Sequence, residues 1–268
     1  MAIYCKTNEE IELIKESSLI VGNVLAHLTS LLQPGINTKM LDDVGEQFIL
    51  DNGGVPTFKG YKGFPASFCI SINEVVVHGI PNVNTVLKEG DIISLDCGVT
   101  KNGFVGDSAY TFAIGEPVDK VKHLLKVTKE SLFLAINQAV FGNRVGDIGY
   151  AVQAYCENRF GYGVVRSMCG HGVGKQLHEE PEIPNYGQRG KGTKLLRNMV
   201  IAIEPMVNMG VKEIEILKDN WTCVTQDRKL SAHYEHTVAV GNKSEILTTF
   251  KAIEAAENKN INLYNCHK

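Results

Sequence analysis

Hydrophobic residues near the start of the chain recur at helical spacing. Thr7 and Glu10 have the spacing of a capping box, and behind them follow Ile11, Ile14, Val21, Val24, Leu28 and Leu32. Steps of three, four and seven residues keep these apolar side chains on one helical face. The pattern therefore predicts a long amphipathic helix that ends at Pro34-Gly35, and a shorter second helix from about Thr38 to Asn52.

From about residue 65 to residue 114 the pattern changes to β-branched runs with alternating polarity. Turns rich in Asn, Pro and Gly interrupt these runs, which predicts a group of strands. The helical order then begins again, and a second long helix is marked by Val121, Leu124, Leu125, Leu132, Ile136 and Val140. After a break at Gly142-Asn143, a short helix is predicted from about Asp147 to Phe160, and strands continue to about Val240.

Short sequence motifs repeat along the chain, as the order of predicted helices and strands does. Gly90–Asp96, an apolar strand that ends in a carboxylate, has a counterpart in Asn198–Glu204, and His78-Gly-Ile-Pro81 has one in His178-Glu-Glu-Pro181. Two such echoes in the same order favour a duplicated α+β unit over two independent domains. We predict a single domain over residues 1–248, with two pseudo-symmetric halves at about 7–115 and 116–245. Residues 249–268 are predicted to form a peripheral tail, which is either a helix or loose.

Composition narrows the class of protein. The 268 residues are 44% hydrophobic and carry a formal net charge of −3, which is typical of an ordinary globular protein and gives no reason to expect specific DNA binding. The first residues are polar and acidic, and no run approaches the ~18 apolar residues of a membrane span, so we expect a cytoplasmic protein without a membrane partner. The seven cysteines are scattered and odd in number, which favours reduced thiols over a disulfide framework.

A hairpin near the middle of the chain carries two aspartates. Asn102-Gly103 is a strong signal for a two-residue turn, and counting back from it places Asp96 and Asp107 within about one residue of opposite each other. Two carboxylates that close, in apolar strands, repel each other and are poorly solvated unless one is protonated or a cation lies between them. The alternative is that one aspartate belongs to a turn and points outward.

The second half of the chain offers three matching ligands. Glu204 ends the apolar strand that starts at Val200, Glu235 lies in a predicted strand over residues 231–240, and His171 lies in the glycine-dense loop 169–174. Each residue taken singly is more often structural or exposed. Together with the two aspartates, they form a carboxylate-rich set with one imidazole, which suits Mn, Fe or Co better than structural zinc. Five ligands are too many for one open catalytic ion but suit a pair of ions.

Two further histidines, His78 and His178, occupy the echoed His-x-x-Pro positions. A neutral imidazole near a metal site can donate a hydrogen bond to a developing oxyanion or to a leaving amide. A purely structural role is the alternative for either one.

These residues together carry a family resemblance. The segments that carry it are Cys69–Pro81, Asp96, Gly106-Asp-Ser108, Cys169–Gly174, His178, Ile203-Glu-Pro205 and Tyr234-Glu-His236. In this order, over roughly residues 5–245, they resemble type I methionine aminopeptidases. The resemblance implies the pita-bread fold of the creatinase and aminopeptidase class, in which two pseudo-symmetric halves surround a curved antiparallel sheet. It agrees with the repeat described above.

The resemblance also implies roles. Two divalent ions (Co, Mn, Fe or Zn) would be held by Asp96, Asp107, His171, Glu204 and Glu235, with Asp107 and Glu235 bridging them. Glu204 would also be the proton shuttle. His178 would polarise the scissile carbonyl, and His78 would contact the peptide nitrogen beyond the first residue.

The substrate side chain would enter an apolar slot, which the resemblance assigns to Phe58, Tyr61, Phe64, Cys69, His78 and Trp221. Aromatic rings and a soft thiol suit a thioether, although ordinary core packing is the alternative for the aromatic residues. Phe58 stands where several relatives carry a smaller residue, and Leu177 replaces a common aromatic residue, so the width of the slot is open. A monovalent cation near Asn73, Val75 and Ser231 is a further expectation by analogy.

The function that follows is metal-dependent removal of the initiator methionine from nascent proteins whose second residue is small, by a monomeric enzyme. The basic, glycine-rich loop Gln188–Lys194 is either a solvated turn or a transient contact with ribosomal RNA. The alternatives are a non-catalytic member of the fold that binds ribosomes or another partner, and a proline-directed dipeptidase. A non-catalytic member would typically lose metal ligands, and all five are present here.

Overall fold

The computed structural model describes residues 3–265. The helices in this range are α1 (Asn8–Thr29), α2 (Thr38–Asp51), α3 (Asp119–Ile136), α4 (Val145–Gln153) and α5 (Lys251–Glu257). The Thr7 hydroxyl accepts from the Glu10 amide at 3.2 Å, and the Glu10 carboxylate accepts from the Thr7 amide at 2.9 Å. The predicted capping box and the first helix are therefore confirmed, as is the second helix.

The strands are short except for the central hairpin. In chain order they are β1 (Val55–Pro56), β2 (Cys69–Ile72), β3 (Val75–Val77), β4 (Ile92–Lys101), β5 (Phe104–Ala113), β6 (Gly163–Val164), β7 (Gly170–Gly172), β8 (Glu179–Ile183), β9 (Val200–Ile203), β10 (Met206–Asn208), β11 (Ile214–Ile216), β12 (Cys223–Thr225), β13 (Ser231–His233), β14 (His236–Ala239) and β15 (Glu245–Ile246). Every strand pair is antiparallel.

The β4–β5 hairpin forms around the predicted turn. Asn102 and Gly103 have φ values of 51° and 79°, the left-handed pair that a two-residue turn requires. The register prediction, however, was wrong. Asp96 lies opposite Ala109, and Asp107 lies opposite Gly98, so the two aspartates are diagonal neighbours on one face. The tight turn pairs Lys101 with Phe104 and leaves no bulge that could bring them level.

The hairpin joins the second half of the chain through hydrogen bonds across its inner face. The described strands form four sheets, and the largest has the order β15-β14-β9-β7-β8. The Ser108 hydroxyl donates to the carbonyl of Glu235 at 2.6 Å, and the Thr237 hydroxyl donates to the carbonyl of Asp107 at 2.8 Å. The Glu235 amide donates to the Ala109 carbonyl at 2.9 Å. These bonds hold β5 against the β13–β14 segment, so that both halves contribute to one centre.

Two elements of the second half differ from the prediction. The strand predicted over residues 231–240 is divided into β13 and β14 at Tyr234-Glu235, because the Glu235 backbone bonds to β5 instead of to its own sheet. The glycine-dense segment predicted as a loop around His171 contains strand β7, which pairs with β8 and β9. The short helix predicted to Phe160 is α4 followed by a π-helical turn over Ala154–Arg159.

The buried apolar residues of the described chain form three clusters, and the helices pack against the strands around the largest of them. From α1 this core takes Val21, Val24, Leu25 and Leu28, all fully buried. The segment predicted as a peripheral tail contains α5, which lies against α1 and inserts Phe250 and Ile253 into the same core.

The six described cysteines are free, whereas Cys266 lies outside the described residues. Within residues 3–265, no helix is long and apolar enough to span a membrane.

Candidate metal centre

The five predicted ligands line one cavity of about 280 Å³ between the two halves. Asp96 and Asp107 come from the inner face of the hairpin, and His171 comes from β7. Glu204 follows directly after β9, and Glu235 lies at the break between β13 and β14. Cross-half hydrogen bonds at two of these residues, Asp107 and Glu235, bring the two ligand groups together.

The ligand atoms approach closely. Atoms of Asp107, His171 and Glu235 all lie within 4.8 Å of one another, a spacing suited to a metal ion. The His171 Nε2 atom lies 3.8 Å from an Asp107 oxygen and 3.4 Å from a Glu204 oxygen. This nitrogen is therefore aimed at the carboxylates.

The His171 ring is held in the orientation that a ligand needs. Its Nδ1 atom lies 3.0 Å from the carbonyl oxygen of Gly172, which can only accept, so Nδ1 carries the proton and donates. The lone pair is then on Nε2, which faces the carboxylates. Burial lowers the pKa of His171 to about 4 and keeps the imidazole neutral, as metal binding requires.

Glycines on both sides of His171 let strand β7 pack closely against the neighbouring strands. A Cβ atom on Gly170 would clash with the carbonyl oxygen of Ala202, and one on Gly172 would clash with that of Glu180. Side chains at these two positions would push β7 away from its neighbours. The Gly-His-Gly sequence thus allows a close-packed strand to present a single imidazole to the cavity.

Burying these carboxylates in their ionised form, without a cation, is energetically costly. Asp96, Asp107 and Glu235 are 8%, 2% and 2% exposed. Burial raises the pKa of Asp107 to about 7, and burial together with neighbouring carboxylates raises the pKa values of Asp96, Glu204 and Glu235 well above their ordinary range. Within the described chain, one oxygen each of Asp96, Asp107 and Glu235 lacks a hydrogen-bond partner. Buried, unpartnered anionic oxygens beside a neutral imidazole fit divalent metal ions.

Aromatic side chains and a thiol line the same cavity as the carboxylates. All six residues predicted for the slot line it, namely Phe58, Tyr61, Phe64, Cys69, His78 and Trp221. The Phe64 and Trp221 rings meet edge to face with centroids 5.1 Å apart, and Trp221 also contacts the His78 ring at 6.1 Å. Cys69 lies on β2, directly opposite Asp96 on β4, so Cys69 borders the carboxylate cluster.

The two echoed histidines also border the cavity. Desolvation lowers the pKa of His78, and the same cause, followed by the neighbouring imidazole of His171 and the ammonium of Lys62, lowers the pKa of His178. His178 is exposed at the mouth, where its ring packs against that of His171 with centroids 4.2 Å apart. Both imidazoles are therefore neutral near pH 7 and able to donate from one nitrogen.

Sequence reasoning missed several residues here. The cavity is also lined by Lys62, Met168 and Met206, which no motif distinguished, and by Val77 and Cys169, which lie in recognised segments but were given no role. Behind Glu204 lies His233, which is 2% exposed, and its Nε2 atom is 3.8 Å from a Glu204 oxygen. The signal that could have found His233 is its position two residues before Glu235 in the same strand-like segment.

The three residues predicted to surround a monovalent cation are neighbours. The Ser231 amide donates to the Asn73 carbonyl at 2.9 Å, and Val75 begins β3, two residues after Asn73.

Comparisons with known proteins agree with this geometry. The family model of metallopeptidase family M24 matches residues 12–242. The methionine aminopeptidase of Clostridium acetobutylicum is 53% identical over 247 residues, which cover 92% of this chain and 98% of that protein.

Two solved structures superpose closely. The methionine aminopeptidase of Rickettsia prowazekii has a TM-score of 0.90 at 38% identity and covers 92% of this chain and 100% of its own. That of Thermotoga maritima has the same TM-score and the same coverages at 40% identity. The fold is accordingly the pita-bread fold that the motifs implied. The family match and these relatives over nearly the whole chain show that this protein belongs to the type I methionine aminopeptidases of metallopeptidase family M24.

Proposed function

We propose that this protein removes N-terminal methionine from peptides and nascent proteins in a metal-dependent hydrolysis. One observation carries the proposal: three buried carboxylates, the partly buried carboxylate of Glu204 and one neutral, oriented imidazole line the same cavity as several aromatic rings and a thiol. Such ligands without a cation would leave several anionic oxygens buried and unpaired. The slot supplies the apolar, polarisable walls that a methionine side chain favours.

Two divalent ions would be held by the five ligands, Asp96, Asp107, His171, Glu204 and Glu235. Such ions supply Lewis acidity, which polarises a peptide carbonyl and lowers the pKa of water. Manganese, iron or cobalt suits this carboxylate-rich set, with zinc as a further candidate.

The protein's own residues then perform the proton transfers and the positioning. Glu204 would take a proton from the attacking water and pass it to the departing nitrogen, because its carboxylate lies among the other ligands, 3.4 Å from His171 Nε2. His178, neutral at the mouth, donates a hydrogen bond to the scissile carbonyl oxygen. His78, between the slot and the mouth, contacts the peptide nitrogen that follows the first residue.

The cavity also limits the substrate. The first side chain occupies the slot formed by Phe58, Tyr61, Phe64, Cys69, His78 and Trp221, while the mouth is narrowed by Tyr61 and His178, whose rings lie 5.2 Å apart. A bulky second residue would collide with these rings. We therefore propose a preference for a small second residue.

Two other functions are less well supported. A non-catalytic member of the fold would have no reason to keep all five ligands and two neutral histidines in one cavity. A proline-directed dipeptidase is disfavoured because the relatives at 38–53% identity reported above are methionine aminopeptidases.

Further parts of the proposal concern the setting. We propose a cytoplasmic monomer, built of one domain (1–248, with halves 7–115 and 116–245) and a C-terminal segment (249–268). Its substrates are nascent polypeptides, which it meets by transient ribosome contact through the basic loop Gln188–Lys194. A monovalent cation near Asn73, Val75 and Ser231 would brace β3 against β13.

The direct test is release of free methionine from peptides of the Met-Gly-Met and Met-Leu types. Metal-stripped protein is assayed with and without added Co, Mn or Fe. Metal-dependent cleavage limited to the small second residue is the expected result. Failure to cleave with any metal, while the protein binds the ions, would move the assignment to a binding protein.

A further inference from the structure

Tyr61 stands beside His178 at the cavity mouth, and its contact with that histidine is directional. The Tyr61 hydroxyl lies 2.7 Å from the Nδ1 atom of His178, which is hydrogen-bond distance. The contact links two segments that are 117 residues apart in the chain. Because Nδ1 is taken up by Tyr61, Nε2 is the ring nitrogen available to a bound substrate.

A neutral imidazole has one donor nitrogen and one acceptor nitrogen, so the bond at Nδ1 decides what Nε2 can do. If the Tyr61 hydroxyl donates, Nε2 carries the proton and can donate to a carbonyl oxygen. If Nδ1 donates to Tyr61, Nε2 is an acceptor, and the lone pair would repel that oxygen. Only the first arrangement is compatible with the proposed role of His178.

Ring contacts and the backbone hold His178 and Tyr61 in place. The His178 ring packs against the ring of His171 with centroids 4.2 Å apart and against the ring of Tyr61 with centroids 5.2 Å apart. The turn that carries Tyr61 closes on itself, since the Tyr61 amide donates to Phe58 at 3.0 Å and the Phe64 amide donates to Tyr61 at 2.9 Å. Gly60 and Gly63, with φ values of 83° and 89°, allow this turn. The hydroxyl is thus presented by an ordered backbone.

We propose that Tyr61 is a positioning residue that selects the Nε2-protonated form of His178 by donating its hydroxyl proton to Nδ1. The Tyr61 side chain then has two roles. Its ring forms a wall of the methionine slot, and its hydroxyl leaves the proton of His178 on Nε2, which can donate a hydrogen bond. This inference rests on the proposed function for its catalytic meaning, although the protonation pattern itself can be measured without turnover.

The decisive variant is Tyr61→Phe, which keeps the ring and removes the hydroxyl. The chain offers a matched control in Tyr162, whose hydroxyl makes the same bond to the Nδ1 atom of His123 at 2.7 Å, between α3 and the segment before β6. Tyr162→Phe removes an equivalent bond away from the cavity. Both variants are prepared as zinc-loaded protein, which is diamagnetic, with ¹⁵N-labelled histidine rings.

Long-range ¹H–¹⁵N spectra report which ring nitrogen of His178 carries the proton, with the assignment made from a His178→Ala variant. We expect the proton on Nε2 in the wild type and in Tyr162→Phe. In Tyr61→Phe the Nδ1 signal should lose its hydrogen-bond shift, and a population with the proton on Nδ1 should appear. A wild-type spectrum with the proton on Nδ1, or a Tyr61→Phe spectrum unchanged at His178, overturns the proposal.

Kinetics provide the second arm. Loss of one hydrogen bond to a positioned group is expected to lower kcat about three- to tenfold in Tyr61→Phe, with KM for a Met-Gly-Met peptide nearly unchanged because the slot keeps its ring. A rise in KM with unchanged kcat would show that Tyr61 is a wall only. If wild-type protein cleaved no such peptide while the His178 spectra behaved as expected, the proposed function would fail and the protonation inference would stand.

Discussion

Replacing Glu204 with glutamine tests the proposed chemistry most directly. The side chain is 13% exposed, and its oxygens lie 3.4 Å from His171 Nε2 and 3.8 Å from His233 Nε2. Glutamine has the same shape and retains one carbonyl oxygen as a ligand, but it cannot take up and release a proton. The substitution therefore separates metal binding from proton transfer.

The expected loss follows from the role of the carboxylate. General acid–base catalysis by a positioned group contributes about 10²- to 10⁴-fold, equivalent to about 3 to 5 kcal/mol of activation free energy. The loss should appear in kcat, because the slot and both cavity histidines are unchanged. Metal-free Glu204→Gln should unfold at a temperature no lower than the wild type, since burial raises the pKa of Glu204 and a neutral amide is the better-tolerated group there.

The assay is methionine release from a Met-Gly-Met peptide, with metal content measured on the same samples. Glu182→Gln is the matched control, because Glu182 is exposed on β8 and does not line the cavity. It should turn over at the wild-type rate. Turnover of Glu204→Gln within about threefold of the wild type, at equal metal content, would refute the assignment of proton transfer to Glu204.

Three further substitutions test packing and charge. Lys6→Met should lower the free energy of unfolding, measured by urea denaturation, by about 3 kcal/mol. The reason is that the Glu179 carboxylate, which lies 2.7 Å from the buried Lys6 ammonium, loses its cation. Lys6→Arg keeps a cation there and should retain most of the wild-type stability. Gly170→Ala should destabilise the protein by about 2 kcal/mol and weaken metal binding in a calorimetric titration, because the added methyl group separates β7 from β9; unchanged affinity would contradict this. Burial raises the pKa of Glu257 from 4.5 to about 7, so the folded protein favours the protonated carboxyl group. As the pH rises from about 5 to about 8, the free energy of unfolding of the wild type should therefore fall by up to about 3 kcal/mol relative to that of Glu257→Gln. A difference between the two proteins that is the same at about pH 5 and about pH 8 would show that Glu257 ionises normally.

Local signals in the sequence determined the elements that carry the site. The capping box at Thr7 and Glu10 predicted the start of α1, and Asn102-Gly103 predicted the β4–β5 hairpin. Both signals are satisfied by hydrogen bonds or dihedral angles within a few residues, so they do not depend on the rest of the fold. The four carboxylates of the proposed metal site could also be singled out, because a carboxylate in or at the end of an apolar strand has a cost that is visible without coordinates. His171 was singled out by the glycine-dense segment around it.

Contacts between distant segments were decided by the tertiary structure. The diagonal offset of Asp96 and Asp107 comes from full pairing of the hairpin, and the break at Glu235 arises because its amide bonds to Ala109 of the other half. The family resemblance implied that the Tyr61 ring is a wall of the slot, but it did not predict a hydrogen bond to His178.

His233 behind Glu204 was missed for the same reason. A polar group's partner depends on which segments pack together, and that packing is a sum of many weak apolar contacts spread over the whole chain. The sequence by itself thus determined which chemical groups this protein possesses and, for the two aspartates, the hairpin on which they lie. Only the tertiary structure decided which of those groups face one another, because that depends on the pairing of the two halves.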